Sequence, residues 1–283
     1  AAKIDTGSRP DLLEVHLDIA NTLQQRGFFD WAESEYRRVI DGGSTLPWFS
    51  ANLGLAQMKH DGGQHAAAGA VLQAAIDFIT EENKARALGD ISAIDAVFRG
   101  RMNYFISCHW AEQGDTQKQR EYVDLALQAD PAELDALIAR HQLPDTDEEY
   151  RRQTKLMIEK AADALRKTIQ EDPQESRHYN EWAWLAGNTD GDLDQALEYC
   201  LTALKLSPNS GACLDTLAHV YFARGQFEKA VETQEKAVRF EPHSGLIVRK
   251  LEFFREKLAE QPRGEKPDGP DEEGPDEEGP SQE

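Results

Sequence analysis

The chain has 283 residues, of which 40% are hydrophobic, and a formal net charge of -21 at pH 7. This apolar content is enough for a core, but the sequence holds no run of roughly twenty apolar residues, the length that spans a bilayer. The excess of negative charge repels phosphate backbones and anionic membrane surfaces, so nucleic acid and membrane lipid are not expected as direct partners.

Helical patterns arranged in pairs fill the first half of the chain. Residues 1–10 carry no periodicity and are predicted to be a flexible lead-in, whereas 11–143 are predicted to form about three helix pairs, the third divergent. Glycines separate the two helices of each pair, at Gly27, Gly62–Gly63 and Gly114. The spacing between these breaks rises after Gly63, which predicts an insertion near 80–99.

The second half begins with a long uninterrupted helical pattern. Residues 147–171 contain no breaker and are predicted to be one helix that connects two arrays of repeats. Residues 172–260 then predict two regular helix pairs and an amphipathic helix that caps the array. From 261 to 283 the composition changes to Pro, Gly, Asp and Glu, which predicts a disordered acidic tail: a solubilising segment or a docking segment for a basic partner.

One of the regular pairs can be interpreted residue by residue. It runs from Gly211 to Pro242, with large and small apolar residues at three- and four-residue steps on both sides of Gly225. These residues are Leu214, Leu217, Ala218, Tyr221, Ala230, Gln234 and Pro242. The unit resembles the tetratricopeptide repeat (TPR), with Gln234 standing where the family pattern has Phe. The resemblance implies an all-α fold, a right-handed solenoid of stacked helix-turn-helix repeats.

The two regular pairs look most like repeat proteins of bacterial, planctomycete-like origin. Such proteins are commonly exported, so the resemblance slightly favours an exported or periplasmic protein over a cytoplasmic one. The chain starts Ala-Ala without Met, which fits a mature end after signal-peptide removal and equally a trimmed chain.

Residues with the potential for chemistry form no recognised catalytic or metal-binding motif. Cys200 and Cys213 fall near each other across a repeat junction, as two small buried residues or as a disulfide. The histidines lack the spacing of a zinc site, although His60 and His65 flank one turn. We therefore expect no enzyme activity, no metal and no cofactor.

The resemblance implies that function lies on the concave surface, which the first helix of each repeat mainly forms. Polar and aromatic residues predicted to face that groove are Asn21, Gln24, Gln57, Arg101, Tyr104, Glu181, Asn188, Asp215, His219 and Phe222. The groove lacks the basic residues with which chaperone-binding relatives hold a C-terminal carboxylate. We expect a scaffold that binds a peptide or a partner helix of unknown identity.

Two other functions remain open at this stage. The chain is alternatively a structural subunit of a larger assembly, packed against another protein through its convex helices or its capping helix. A third possibility is an accessory protein that uses His60, His65 or Cys108 to hold a metal or a cofactor.

Overall fold

The computed structural model describes residues 10–43, 46–86 and 90–261. Within those ranges the chain forms thirteen α-helices and no strand, which confirms the predicted all-α solenoid. The helices are α1 (Pro10–Gln25), α2 (Phe29–Asp41), α3 (Leu46–Asp61), α4 (His65–Arg86), α5 (Ser92–Glu112), α6 (Thr116–Ala129), α7 (Leu134–Gln142), α8 (Glu148–Glu171), α9 (Ser176–Gly187), α10 (Leu193–Leu206), α11 (Gly211–Ala223), α12 (Phe227–Phe240) and α13 (Gly245–Ala259). The predicted acidic tail from 262 onward and the lead-in 1–9 lie outside the described residues.

Glycines with a positive φ end the first helix of four pairs. Gly27, Gly63, Gly114 and Gly225 have φ values between 70° and 77°, the left-handed conformation that glycine adopts without a Cβ penalty. Gly191 follows α9 for a different reason, because a Cβ there would lie 2.5 Å from the Cα of Ala186. A glycine after the first helix of a pair therefore has two structural causes: a positive φ at four positions and close packing at Gly191.

Small residues let neighbouring helices approach each other closely. Ala20, Ala32, Ala218 and Ala230 have no exposed surface, and each lies in a core cluster formed by successive helices. Large residues such as Tyr36 fill the space around them. Burial of these apolar faces against the next helix supplies most of the stability of a stacked repeat.

The segment predicted as an insertion near 80–99 lengthens two helices. α4 continues to Arg86 and α5 begins at Ser92, so the third pair starts before Arg101, where the sequence pattern first became clear. Phe98 lies on the added part of α5, is fully buried and stacks on Phe49 with ring centroids 4.9 Å apart. The extra residues therefore enlarge the core.

The long helix α8 packs along both of its neighbours, α7 and α9. Its residues Ala161 and Leu165 join a core cluster that also contains Val123 of α6, Leu137 of α7 and Leu185 of α9. The helix predicted to connect two arrays therefore shares core contacts with the helices on both sides of it.

The last turn of the solenoid returns to its beginning. The Nη2 atom of Arg249 on α13 donates to the backbone oxygen of Asp61 at the end of α3, at 3.1 Å. The ring of His243, in the turn before α13, lies so close to Gly27 that a Cβ there would be 2.6 Å from it. These contacts bring both ends of the described chain beside a central space, which seven of the thirteen helices line.

Candidate functional site

A cavity of about 750 Å³ occupies that central space. Helices α3, α5, α8, α9, α11 and α13, together with α7 and the turn before it, all contribute to its wall. Its size falls within the usual range of ligand sites, roughly 300–1,000 Å³. The cavity is therefore the candidate functional site.

Acidic side chains outnumber basic ones in its wall. The carboxylates are those of Asp61, Asp130, Glu133, Asp135, Glu181 and Asp215. The cationic side chains are those of Arg101 and Lys250. An excess of negative charge inside a concave wall attracts cations and repels anionic ligands.

Arg101 on α5 forms ion pairs with two of these carboxylates. Its Nε lies 3.2 Å from Oε2 of Glu133, and its Nη1 donates to Oδ2 of Asp135 at 2.7 Å. The other oxygen of Asp135 accepts a 2.9 Å hydrogen bond from the indole of Trp184 on α9. Burial opposes the charge on Arg101, but the two carboxylates outweigh this effect and raise its pKa. Arg101, Glu133, Asp135 and Trp184 thus connect α5, α7 and α9.

Glu133, just before α7, is the most unusual acid of the cavity. It is 6% exposed, and burial raises its pKa to about 7, against the opposing charge of Arg101 and with added repulsion from Asp135 and Asp130. Its Oε1 is buried and has no hydrogen-bond partner among the described residues. Asn180 on α9 also lines the cavity, and its Oδ1 is buried without a partner in the same part of the chain.

The opposite part of the wall contains the second cation. Nζ of Lys250 on α13 lies 2.6 Å from Oδ2 of Asp215 on α11, and both side chains are 13% exposed. Oδ1 of Asp215 accepts from Gln234 of α12 at 2.7 Å. Lys250 also lies 4.5 Å from the ring centroid of Trp184, a cation–π distance. These contacts leave both oxygens of Asp215 occupied.

Comparison with known proteins identifies repeats at both ends of the described chain. Family models described as tetratricopeptide repeat match residues 17–84 and residues 189–247. Both matched segments carry tetratricopeptide repeats. Proteins with these repeats generally mediate protein–protein interactions.

Curated relatives match one part of the chain. The Photosystem I assembly protein Ycf3 of Prochlorococcus marinus is 31% identical over 102 residues, covering 35% of this chain and 59% of the relative. The small glutamine-rich tetratricopeptide repeat-containing protein 2 of Mycosarcoma maydis is 27% identical over 99 residues, or 28% of its own length. The chain therefore spans less than two thirds of either protein.

Solved structures with TPR folds align at low identity. TTC0263, a thermophilic TPR protein of Thermus thermophilus, has a TM-score of 0.45 and 16% identity, covering 73% of this chain and 98% of its own. The TPR2AB domain of yeast Sti1, in a complex with pHSP90, has a TM-score of 0.34 and 19% identity, covering 88% and 99%.

Five of the ten residues predicted for the TPR groove line the central cavity. They are Gln57, Arg101, Tyr104, Glu181 and Asp215. Gln57 donates to Asp61 at 2.8 Å. Burial raises the pKa of Glu181, an effect that Arg177 and His178 oppose. The spacing of inner-face positions in the TPR pattern thus identified five residues that lie together in the structure.

The other five have structural contacts elsewhere. The side-chain amides of Asn21 and Gln24 both lie within hydrogen-bond distance of the hydroxyl of Tyr36, at 2.7 and 2.8 Å. Gln24 also borders a smaller cavity of about 280 Å³ beside His243. The Nδ2 atom of Asn188 donates to the backbone oxygen of Trp184 at the end of α9.

His219 and Phe222 belong to an aromatic cluster rather than to the cavity wall. Phe222 stacks on Phe254 with ring centroids 4.7 Å apart, and His219 lies between Trp184 and that pair. Burial lowers the pKa of His219 to about 4, so its ring is neutral at pH 7.

Several polar residues of the cavity were missed. Those outside the first helices of the pairs are Asp130, Glu133, Asp135 and Lys250. The others, Asp61, Asn180 and Trp184, lie on the first helices α3 and α9 at positions that were not assigned to the groove. The concentration of acids around Pro131, in the sequence DPAELD, was the one available signal. Only the curvature of the solenoid brings α13 into the same wall.

His60 and His65 do come together, as their positions around one turn suggested. Their Nδ1 atoms lie 2.9 Å apart, and Nε2 of His65 lies 3.1 Å from Oε1 of Glu112. Burial lowers the pKa of His60 to about 4, and it raises that of Cys108 to about 11. Across the described part of the chain, no three His, Cys, Asp or Glu residues are arranged to hold a metal ion.

The helices were also compared with the requirements of a membrane span. Among the described residues, none of the helices combines enough length with enough apolar character to cross a bilayer.

Proposed function

We propose that this protein is a non-enzymatic scaffold that holds a peptide or a partner helix in the central cavity of its TPR solenoid. The observation that carries this proposal is the wall itself, in which buried polar atoms of Glu133 and Asn180 have no partner among the described residues. Buried polar groups are normally hydrogen-bonded, so unpaired atoms in residues that line a cavity suggest a guest that pairs with them.

The chemistry of the wall also supports binding rather than catalysis. Arg101 and Lys250 are both paired with carboxylates of the chain, so neither is a free cation that could stabilise negative charge on a substrate. Apolar surface from Leu53, Val97 and Leu165 lies among the polar groups, as in sites that bind peptide segments.

Site-specific photo-crosslinking tests this proposal. A benzoylphenylalanine placed at Thr168, on the cavity side of α8, is expected to crosslink to a partner polypeptide in native extract. The same group at Glu232, exposed on the outer helix α12, is the matched control. Equal crosslinking from both positions, or none from Thr168, would contradict a guest in the cavity.

A second candidate function is supported by one exposed surface. Phe28, Phe29 and Trp31 project from the α1–α2 turn, and Trp31 is 71% exposed. Exposed aromatic patches of this kind mark surfaces that contact other proteins. The name of the relative Ycf3, a Photosystem I assembly protein, fits a role within an assembly.

Light scattering separates this candidate from the scaffold. A subunit that associates with its own copies through the aromatic patch should exceed the monomer mass of 31.7 kDa, and Trp31→Ser should return it to that mass. If the protein is a monomer at all concentrations, it does not associate with its own copies, and that form of the second candidate is wrong.

A further inference from the structure

We propose that the central cavity binds a basic side chain, Lys or Arg, of a partner polypeptide, and that Glu133 is the principal acceptor for it. This inference rests on the proposed function, because it specifies which chemical group of the guest enters the cavity. Neither the repeat family nor its relatives assign this group.

The first reason is that the two buried cavity-wall atoms without a hydrogen-bond partner are both acceptors. Oε1 of Glu133 and Oδ1 of Asn180 lack donors, whereas both sit in the wall of the same cavity. A buried carboxylate oxygen without a donor is destabilising, and a guest N–H would remove that penalty. A ligand that supplies only acceptors, such as a carboxylate or a phosphate, would leave both atoms unpaired.

The second reason is charge. Three of the six lining acids, Asp61, Asp130 and Glu181, form no ion pair with either lining cation among the described residues. The wall therefore keeps an excess of negative charge after its internal pairs are formed. A cationic group entering this wall is attracted over the range of a Debye length, roughly 8–10 Å.

The third reason is that the site already accommodates one guanidinium group. Arg101 lies against Glu133 and Asp135 through one oxygen of each carboxylate, while Oε1 of Glu133 stays vacant. Carboxylates pair with Lys or Arg through charge-assisted hydrogen bonds, which are the stronger class. The open volume of about 750 Å³ has room for a second basic side chain and adjoining backbone.

A fluorine NMR titration tests the assignment on the full chain. The protein is labelled with 5-fluorotryptophan, and Trp184, which lines the cavity, is assigned from the signal that Trp184→Phe removes. The probes are blocked pentapeptides, Ac-Gly-Ser-X-Ser-Gly-amide, with X as Lys, Arg or the neutral isostere norleucine. The Lys and Arg peptides should shift the Trp184 signal saturably, and the norleucine peptide should bind at least tenfold more weakly.

Variants then assign the acceptor. Glu133→Gln should weaken the Lys peptide at least tenfold, and Asn180→Leu should weaken it about threefold. Glu232→Gln removes the same charge from the exposed face of α12 and should leave Kd within twofold. Circular dichroism melting of each variant shows whether it is folded, and Asn180→Leu provides a second test if Glu133→Gln melts at a lower temperature.

Three results would overturn the inference. Equal binding of the norleucine and Lys peptides would show that the basic group is not recognised. Unchanged binding by folded Glu133→Gln would show that Glu133 is not the acceptor. Spermidine binding as tightly as the Lys peptide would assign the cavity to a free polyamine instead of a polypeptide. If Thr168 crosslinks a partner while the peptides show no preference for Lys, this inference fails and the proposed scaffold function stands.

Discussion

Nη2 of Arg249 donates to the backbone oxygen of Asp61 across 188 residues of sequence, joining the last described helix to the third. The same closure brings His243 against Gly27. This contact places α13 and α3 next to each other in one wall of the central cavity. Its contribution to stability can be measured at a single glycine.

Gly27→Ala should be more destabilising than Gly63→Ala. Both glycines have a positive φ, 77° and 76°, so alanine at either position incurs the same backbone strain of about 1–2 kcal/mol. A Cβ at Gly27 would additionally meet His243 at 2.6 Å, whereas Gly63 has open space around it. We expect a further loss of about 1–3 kcal/mol from that clash, measured by urea unfolding.

A double variant distinguishes the clash from other effects. Adding His243→Ala to Gly27→Ala should return the stability to that of Gly63→Ala, because the ring that meets the new Cβ is gone. Small-angle scattering should show a larger radius of gyration for Gly27→Ala alone if the turn before α13 moves away. Identical stability losses at both glycines would contradict the closure.

Gln234→Leu should destabilise the C-terminal repeats. Gln234 is fully buried and donates both to Asp215 of α11 and to the backbone oxygen of Ile247 in α13. Leucine keeps most of the volume but removes the donor to Oδ1 of Asp215 and the second bond to the Ile247 oxygen, at a cost of about 1–3 kcal/mol. Thermal unfolding should show this loss, while Glu232→Leu on the exposed face of the same helix should change stability by less than about 1 kcal/mol.

Stability should depend on pH through Glu133. Its folded pKa is raised from 4.5 to about 7, so its favourable contribution is complete below pH 4.5 and is lost as the pH rises to about 7. Glu133→Gln resembles the protonated form at every pH. Relative to the wild type, the variant should therefore gain stability between pH 5 and pH 8, by about 3 kcal/mol at most.

Chemical denaturation at several pH values measures this gain. The charged groups that face the carboxylate are retained in the variant, and their interactions with Glu133 are part of the measured difference; they are Arg101, Asp130, Asp135, Asp61, Glu181, Asp215 and Lys250. Glu232→Gln should show no comparable slope. A stability difference between Glu133→Gln and wild type that stays constant from pH 5 to pH 8 would rule out the raised pKa.

Three thiols should be available only after unfolding. Cys108, Cys200 and Cys213 are unbonded, and burial raises the pKa of all three, which suppresses the reactive thiolate. Titration with a thiol-reactive disulfide at pH 8 should be slow for the native protein and give three equivalents in denaturant. One equivalent in denaturant would indicate a bond between Cys200 and Cys213.

The sequence predicted the helix pairs because their signals are local. The glycine at position 225, the alanines at 218 and 230 and the spacing between them are properties of one hairpin, and the structure contains that hairpin as α11 and α12. The Gln at position 234, a departure from the family pattern, has a structural reason that only the contacts of α12 with α11 and α13 reveal.

The candidate site was predicted less completely because it depends on distant parts of the chain. Arg101 and Glu181 were found from inner-face spacing, but Glu133 belongs to a turn and Lys250 to the capping helix. Their place in one wall depends on the total curvature of the solenoid, to which every helix crossing contributes. This total curvature cannot be predicted from any single stretch of sequence.

The contact between α13 and α3 also has a consequence for how this protein tolerates insertion. An open array of repeats lengthens at its end without disturbing the rest. Here the circumference is fixed, because one additional hairpin would carry Arg249 past Asp61. Natural variation in the number of repeats should therefore be restricted, and changes in length should appear in outward-facing turns.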